Sequence, residues 1–146
     1  MSSITTDQGI LHYEVFGRGR PVILLHGWLG SWGLWQETMT FLGRSYRTYA
    51  LDFWGFGESG TKRNTYNVQD FISLVDQFME QLGIQQAPLV GHSMGGTVSL
   101  SVAIQFPHRA SKVVVIGSPI AGSSLALALK FAGYRPIAWL LFTFFP

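Results

Sequence analysis

Six consecutive residues, Gly91-His92-Ser93-Met94-Gly95-Gly96, contain the spacing G-x-S-x-G. The apolar stretch Ala87 to Val90 leads into them, and a helix-forming stretch follows. In that strand–turn–helix setting the serine occupies a tight, strained turn. Gly91 and Gly95 are small because backbone and helix crowd each other there. The hydroxyl of Ser93 then stands at a helix N-terminus, where amide N–H groups and the helix dipole favour developing negative charge. The chemistry this implies is nucleophilic attack by Ser93 on a carbonyl carbon. The competing reading is a serine in a Gly-rich turn with no chemistry, and the flanking strand and helix weigh against it.

Attack on a carbonyl creates an oxyanion, which needs two aimed donors. The N–H of Met94, the residue after the serine, is one candidate. The other comes from a loop after an earlier strand. His26-Gly27-Trp28 closes the apolar run Val22 to Leu25, so the N–H of Trp28 is the second candidate, with its indole placed to wall a pocket. His26 has the chemistry of a base, but bracing this loop by hydrogen bonds is the favoured role. A third segment, Asp52-Phe53-Trp54-Gly55-Phe56-Gly57-Glu58-Ser59, is continued by Gly60 into a G-x-G-x-x-G match. A dinucleotide fingerprint of that form opens an apolar helix. Here Thr61-Lys62-Arg63-Asn64 follows, polar and loop-like, and the dinucleotide reading is rejected.

These three loops need elements to hold them. Leu11, Tyr13 and Val15 alternate with polar residues, as in a half-buried strand. Val22 to Leu25 is a continuous apolar run, as in a strand buried on both faces. Trp35, Met39 and Leu42 recur at helical spacing. Tyr46 to Leu51 reads as the next strand and ends at Asp52. Asn67 is a good N-cap, with Asp70 favouring the helix N-terminus. Val68, Phe71, Ile72, Val75, Met79 and Leu82 then make one apolar face, and Gly83 stops the helix. Ala87 to Val90 is a strand, and a helix runs from Ser93 to about Phe106, before Pro107. Val113 to Ile116 reads as another buried strand. The alternation predicts an α/β fold with a mainly parallel sheet and helices on both faces. Ligand sites in such sheets lie at the carboxyl ends of the strands, where all three loops fall.

Composition narrows the field. Of the 146 residues, 47% are hydrophobic and only 12% charged, too apolar for a disordered chain. The net charge of +2, without a Lys/Arg run, gives no footprint for nucleic acid. The absence of Cys excludes disulfide frameworks and Cys-ligated zinc. The N-terminal residues lack a basic region followed by an apolar stretch, and a cytoplasmic location is expected. Residues 125 to 146 are strongly apolar, but Lys130, Arg135 and Pro136 interrupt them. No uninterrupted run of roughly 18 to 20 apolar residues exists. A buried or lid helix pair is the favoured reading, with weak membrane contact through 125–146 left open.

Taken together, His26-Gly27, then Asp52-x-x-Gly55-Phe56-Gly57-x-Ser59, then Gly91-His92-Ser93-Met94-Gly95-Gly96 resemble the α/β-hydrolase superfamily. The likeness covers residues 10 to about 118 and is to its lid-bearing esterase, carbon–carbon hydrolase and acyl-transfer members. The motifs are specific for the fold and unspecific for substrate. The resemblance implies that residues 1–118 are the N-terminal part of the core and that 119–146 begin a helical lid. It also implies that Asp52 and its loop shape the site, as do His26, Gly27, Gly91, His92 and Gly95. Epoxide hydrolase and dehalogenase relatives carry Asp at the nucleophile position, so Ser93 speaks against those reactions.

One part of the pattern is missing. In such enzymes the order is Ser, then Asp or Glu, then His. After Ser93 there is no Asp or Glu, and the only His is His108. It follows the helix that Ser93 opens, and about 13 helical residues span roughly 20 Å. His92 sits beside Ser93 but points elsewhere on such a turn, and His12 lies on an early strand. The triad acid and base are therefore expected in a missing C-terminal half, in cis or in trans. The expected function is a serine hydrolase of carboxylic esters or related acyl compounds, with a small, apolar acyl substrate and no cofactor or metal. Residues 1–146 alone are expected to be nearly inactive and to have an exposed hydrophobic edge strand. Acyl transfer or lyase chemistry at the same site, or a non-catalytic half-domain needing a partner chain, are the alternatives.

Overall fold

The computed structural model of the protein describes residues 2–63 and 65–119. Six strands form one sheet: β1 (Ser2–Thr6), β2 (Gly9–Gly17), β3 (Arg20–Leu25), β4 (Tyr46–Leu51), β5 (Ala87–His92) and β6 (Ala110–Ile116). Their spatial order is β1-β2-β4-β3-β5-β6. β1 and β2 form an antiparallel hairpin, and β2 runs antiparallel to β4. β4, β3, β5 and β6 are mutually parallel. Among the described residues the helices are α1 (Gln36–Leu42), preceded by a 3-10 turn over Trp32–Trp35, α2 (Val68–Gln81) and α3 (Met94–Gln105). The sheet is mainly parallel with helices on both faces, as the alternation of elements predicts.

The run Val22-Ile23-Leu24-Leu25 shows why two layers form. Successive strand side chains point to opposite faces. Val22 and Leu24 pack with Trp35, Met39 and Ala50 on the α1 side. Ile23 and Leu25 pack with Phe71, Leu74, Val75, Phe78, Val98 and Val102 on the α2–α3 side.

Helix α2 starts at a capping box. The Asn67 side chain accepts from the Asp70 N–H at 3.1 Å, and the Asp70 carboxylate accepts from the Asn67 N–H at 2.8 Å. Two donors that the first helical turn leaves unpaired are thereby satisfied. Its buried face comprises Phe71, Ile72, Leu74, Val75, Phe78 and Met79. Val68, expected on that face, is exposed at the first helical position. Leu74 and Phe78 widen the face because α2 packs on α3 as well as on strands.

Val113 to Ile116 does not form a buried strand but the exposed hydrophobic edge expected of residues 1–146 alone. β6 is the sheet edge among the described residues, with β5 as its neighbour. Val114 and Ile116 are 48% and 46% exposed. They pair with Val90 and His92 on β5, on the sheet face that α1 covers farther along. The proposed lid over 119–146 falls, beyond Pro119, outside the described residues.

The lower end of the fold is tied by Arg109. Its guanidinium donates to Asp76 at 2.7 Å, to Glu80, and to the Ile84 carbonyl at 3.2 Å. This joins the start of β6 to the end of α2. The Arg109 side chain is 10% exposed, but Asp76 and Glu80 stay partly solvated at 29% and 73%, which limits the cost of losing it. Arg109→Ala is expected to lower unfolding free energy by about 2 kcal/mol, measured by denaturant titration. Arg63→Ala, which breaks the exposed pair with Asp70, is expected to cost less than about 1 kcal/mol.

Candidate active site

Helix α3 and strand β5 meet at Ser93, whose φ is +51° and ψ is −118°. A non-glycine residue in that region is strained. The turn closes through Ser93 N–H donating to the Ile116 carbonyl at 2.9 Å, and through the Gly96 and Thr97 N–H groups donating to the Ser93 carbonyl at 3.0 and 3.3 Å. Side chains at three neighbouring glycines would not fit. A Cβ at Gly91 would strike the Gly95 carbonyl, one at Gly95 the Leu25 carbonyl, and one at Gly96 the Ser118 hydroxyl. Backbone therefore lies directly on backbone, and α3 can begin against the ends of β3 and β5.

The loop after β3 lies against the same point. A Cβ on Gly27 would come within 2.9 Å of Ser93 Cβ and 3.1 Å of His92 Nδ1. Gly27 accepts from the Gly30 N–H at 3.1 Å, which makes a turn with Leu29 at φ +56°. Positions 29 and 93 are the two non-glycine residues at positive φ among those described, and both belong to this site. The N–H groups of Trp28 and Met94 donate to no described residue. The Ser93 hydroxyl likewise bonds to no described residue. No described histidine or carboxylate is placed to take its proton by a direct hydrogen bond.

His26 is fully buried, and both ring nitrogens are engaged. Nδ1–H donates to the Gly27 carbonyl at 2.7 Å, and Nε2 accepts from the Phe53 N–H at 3.0 Å. These partners fix the neutral tautomer with its proton on Nδ1. Burial holds its pKa below the ordinary value, against smaller upward contributions from the Gly27 carbonyl and the Asp52 charge. The ring links the loop after β3 to the loop after β4.

Asp52, at the end of β4, is also completely buried. Its Oδ1 accepts from the Trp32 N–H at 2.6 Å. Its Oδ2 accepts from the Glu58 N–H at 2.9 Å and faces His12 Nδ1 at 2.9 Å. A Cβ at Gly57, whose φ is +53°, would strike this carboxylate. Ser59 completes the tie: its hydroxyl donates to the Asp52 carbonyl at 2.7 Å and accepts from the His12 N–H at 2.8 Å. In the sequence His12 reads as a residue on an early strand, and Ser59 only as part of the Asp52 loop that shapes the site. His12 meets Asp52 across 40 residues of chain, a pairing that no local spacing shows, whereas Ser59 reaches the Asp52 carbonyl over only seven. His12 Nε2 also faces Glu14 at 3.1 Å.

The structure brings Gly27, His92, Ser93, Gly91 and Gly95 together at one point, with His26 and Asp52 one layer behind. His92 Nδ1 is buried without a hydrogen-bond partner among the described residues. His108 is at the other end of the fold, lining a surface cleft with Glu80 and Arg109. The aromatic residues divide into two groups. Trp35 and Trp54 are core at 4% and 1% exposure, while Trp28 is 52% exposed. Trp28 stacks edge-on against Phe56 at 5.4 Å, and Trp32 is half-buried nearby on the 3-10 turn. Among the described residues no group of three or more His, Asp or Glu is placed to hold a metal, and no helix is long and apolar enough to cross a membrane.

The family described as alpha/beta hydrolase fold matches residues 20–141. The uncharacterized hydrolase YugF of Bacillus subtilis is 41% identical over 108 residues, covering 73% of this chain and 39% of YugF. The 2-hydroxy-6-oxo-2,4-heptadienoate hydrolase of Pseudomonas putida is 34% identical over 125 residues, covering 82% of this chain and 45% of that protein. The crystal structure of a meta-cleavage product hydrolase, CumD, superposes with a TM-score of 0.75 at 30% identity, covering 80% of this chain and 45% of that one. The chain spans less than half the length of these relatives.

Two outcomes follow from the buried groups. Unfolded chains bind a proton at His26 near the ordinary value of about 6.5, whereas the folded chain does so only at lower pH. The unfolded state therefore binds more protons as pH falls below about 6.5, and stability falls until the folded group itself titrates. Melting temperatures measured from about pH 7.5 to 5.5 are expected to decline less steeply in His26→Gln than in the parent. Asp52→Ala strands two amides and His12 in a dry interior, and denaturant titration is expected to show a loss of about 3 kcal/mol or more.

Proposed function

Because the chain belongs to the α/β-hydrolase fold family, we propose that it is the nucleophile-bearing half of a serine hydrolase acting on carboxylic esters or related acyl compounds. The observation that carries this reading is Ser93 at φ +51°, raised at the head of α3, with the amides of Met94 at the start of α3 and of Trp28 on the loop after β3 both without a partner among the described residues. In the proposed reaction Ser93 Oγ attacks the carbonyl carbon and its proton passes to a base. The carbonyl oxygen takes up the electron pair as an oxyanion, which the two amides stabilise. Collapse expels the leaving group, which collects the proton. Water then attacks the acyl-serine by the same route in reverse.

The base and the acid that orients it lie outside the described residues in this proposal, in a C-terminal half supplied in cis or in trans. His26 does not serve, since both of its nitrogens are committed to loop contacts. Trp28, Trp32 and Phe56, grouped beside the site, favour an apolar acyl substrate. The P. putida relative, named for 2-hydroxy-6-oxo-2,4-heptadienoate, and CumD, named for a meta-cleavage product, widen the reading to carbonyl compounds beyond esters. Gly91, Gly95, Gly27, His92 and Asp52 shape the site. A cytoplasmic setting belongs to the same proposal.

Serine without a base is a weak nucleophile at neutral pH. Residues 1–146 alone are therefore expected to hydrolyse p-nitrophenyl acetate within about tenfold of their Ser93→Ala variant. A robust rate lost on Ser93→Ala would place a base inside these residues and refute the divided site. With the rest of the fold present, Ser93→Ala is expected to lower kcat by about a thousandfold or more. A drop of less than about tenfold would assign the chemistry to another group.

A further inference from the structure

The end of the sheet opposite Ser93 carries a second feature that the catalytic reading does not use. Arg18 and Arg20 flank the turn between β2 and β3, while Arg44 and Arg47 flank the start of β4. All four are exposed, and none forms an ion pair with another described residue. Between residues 15 and 50 the sole carboxylate is Glu37, on the first turn of α1. Backbone geometry packs the two segments together. Arg20 pairs with Tyr46 and Gly17 with Arg47 in the sheet register. A Cβ at Gly43 would strike the Phe16 ring.

Aromatic side chains stand among these cations. Phe41 is 69% exposed, Phe16 51% and Tyr46 40%, and the Arg44 guanidinium lies 6.0 Å from the Phe41 ring centre. Beside Arg47 a shallow cleft of about 500 Å³ opens between Gly19, Pro21, Tyr49 and Gln85. The two phenylalanines offer no hydrogen bond, so a partner gains from them by removing their rings from water. The four solvated cations would find complementary charge in phosphate groups beside that apolar phase. An anionic lipid surface supplies both at once, with headgroup phosphates above and an acyl boundary below.

We propose that this arginine–aromatic end docks on membranes containing anionic phospholipid. The surface lies at the N-terminal ends of β3 and β4, and the six residues of β3 put it about 20 Å from the loops around Ser93. The described chain leaves the sheet at Pro119, beyond the far end of β6, with β3 and β5 between β4 and that edge. Docking therefore leaves the candidate active site facing away from the lipid.

The test is flotation of the 146-residue chain with vesicles of equal parts phosphatidylcholine and phosphatidylglycerol, set against phosphatidylcholine alone. Preference for the anionic vesicles, weakened by salt, is expected. Each Arg beside an anionic surface contributes about fivefold, so Arg18→Gln/Arg20→Gln and Arg44→Gln/Arg47→Gln are each expected to lower partitioning on the order of thirtyfold. The matching Lys pairs keep the charge and are expected to bind nearly as the parent does. They also preserve the comparison if a Gln pair unfolds. Phe41→Ser is expected to weaken binding without changing its salt dependence. Binding that survives both Gln pairs would place the contact elsewhere, with the apolar residues 125–146 first in line, and would overturn the proposal. Equal partitioning to both vesicles would do the same. So would binding to a DNA oligonucleotide as tight as to vesicles and lost in the same variants, which would reveal a general polyanion site.

Discussion

At its first turn, helix α3 meets the ends of β3 and β5 main chain against main chain. Gly91, Gly95 and Gly96 leave no room for a Cβ against Gly95, Leu25 and Ser118, and this contact sets the geometry of everything around it. The approach lets a helix start at the very end of β5. It also forces the residue between strand and helix into a positive φ. The strain at Ser93 is stable only because rigid parts surround it. β5 is hydrogen-bonded on both sides, to β3 and β6, and α3 is clamped between sheet and α2. A serine so placed carries its hydroxyl clear of the backbone bonds that close the turn, free of any described partner.

A second constraint aligns the neighbouring loops. Asp52 and His26 are both wholly buried, and each ties its own segment to another through hydrogen bonds to backbone groups. Asp52 holds the Trp32 and Glu58 amides, and His26 holds Gly27 and Phe53. Loops without regular structure are thereby fixed by charged or polar side chains in a dry environment, where each hydrogen bond is costly to lose. The price in burying a carboxylate is met by three partners and by a glycine at position 57 that lets the backbone close over it. The loop that carries the Trp28 amide is held by this bracing together with its own Gly27–Gly30 turn.

The two ends of the parallel strands differ in kind. At the carboxyl ends the residues are glycines, buried hydrogen-bonding side chains and amides without acceptors among the described residues. At the amino ends of β3 and β4 they are exposed arginines and aromatic rings. Strand polarity separates the two sets, so a change at one end reaches the other only through the packed sheet between them.

Much of this was legible in the sequence. The two-faced run Val22 to Leu25, the Asn67 and Asp70 cap and the glycine spacing around Ser93 are local signals, set by side-chain period, by unpaired helix-end donors and by the room a Cβ requires. They determine the fold class and the position of the turn. Other features depend on partners far along the chain, and no local pattern carries them. Trp28, Trp35 and Trp54 look alike beside their loops, yet two are core and one is exposed, because layer packing decides which rings are covered. His12 reads as a strand residue until β2 lies beside β4 and brings it to Asp52. β6 reads as a buried strand, but burial needs a neighbour on each side and a layer on each face, and among the described residues it has one strand and one helix. Spacing along a chain fixes what each segment can form. Which side chains end up dry, paired or exposed is settled only when segments meet, because burial and hydrogen bonding are properties of contacts between them.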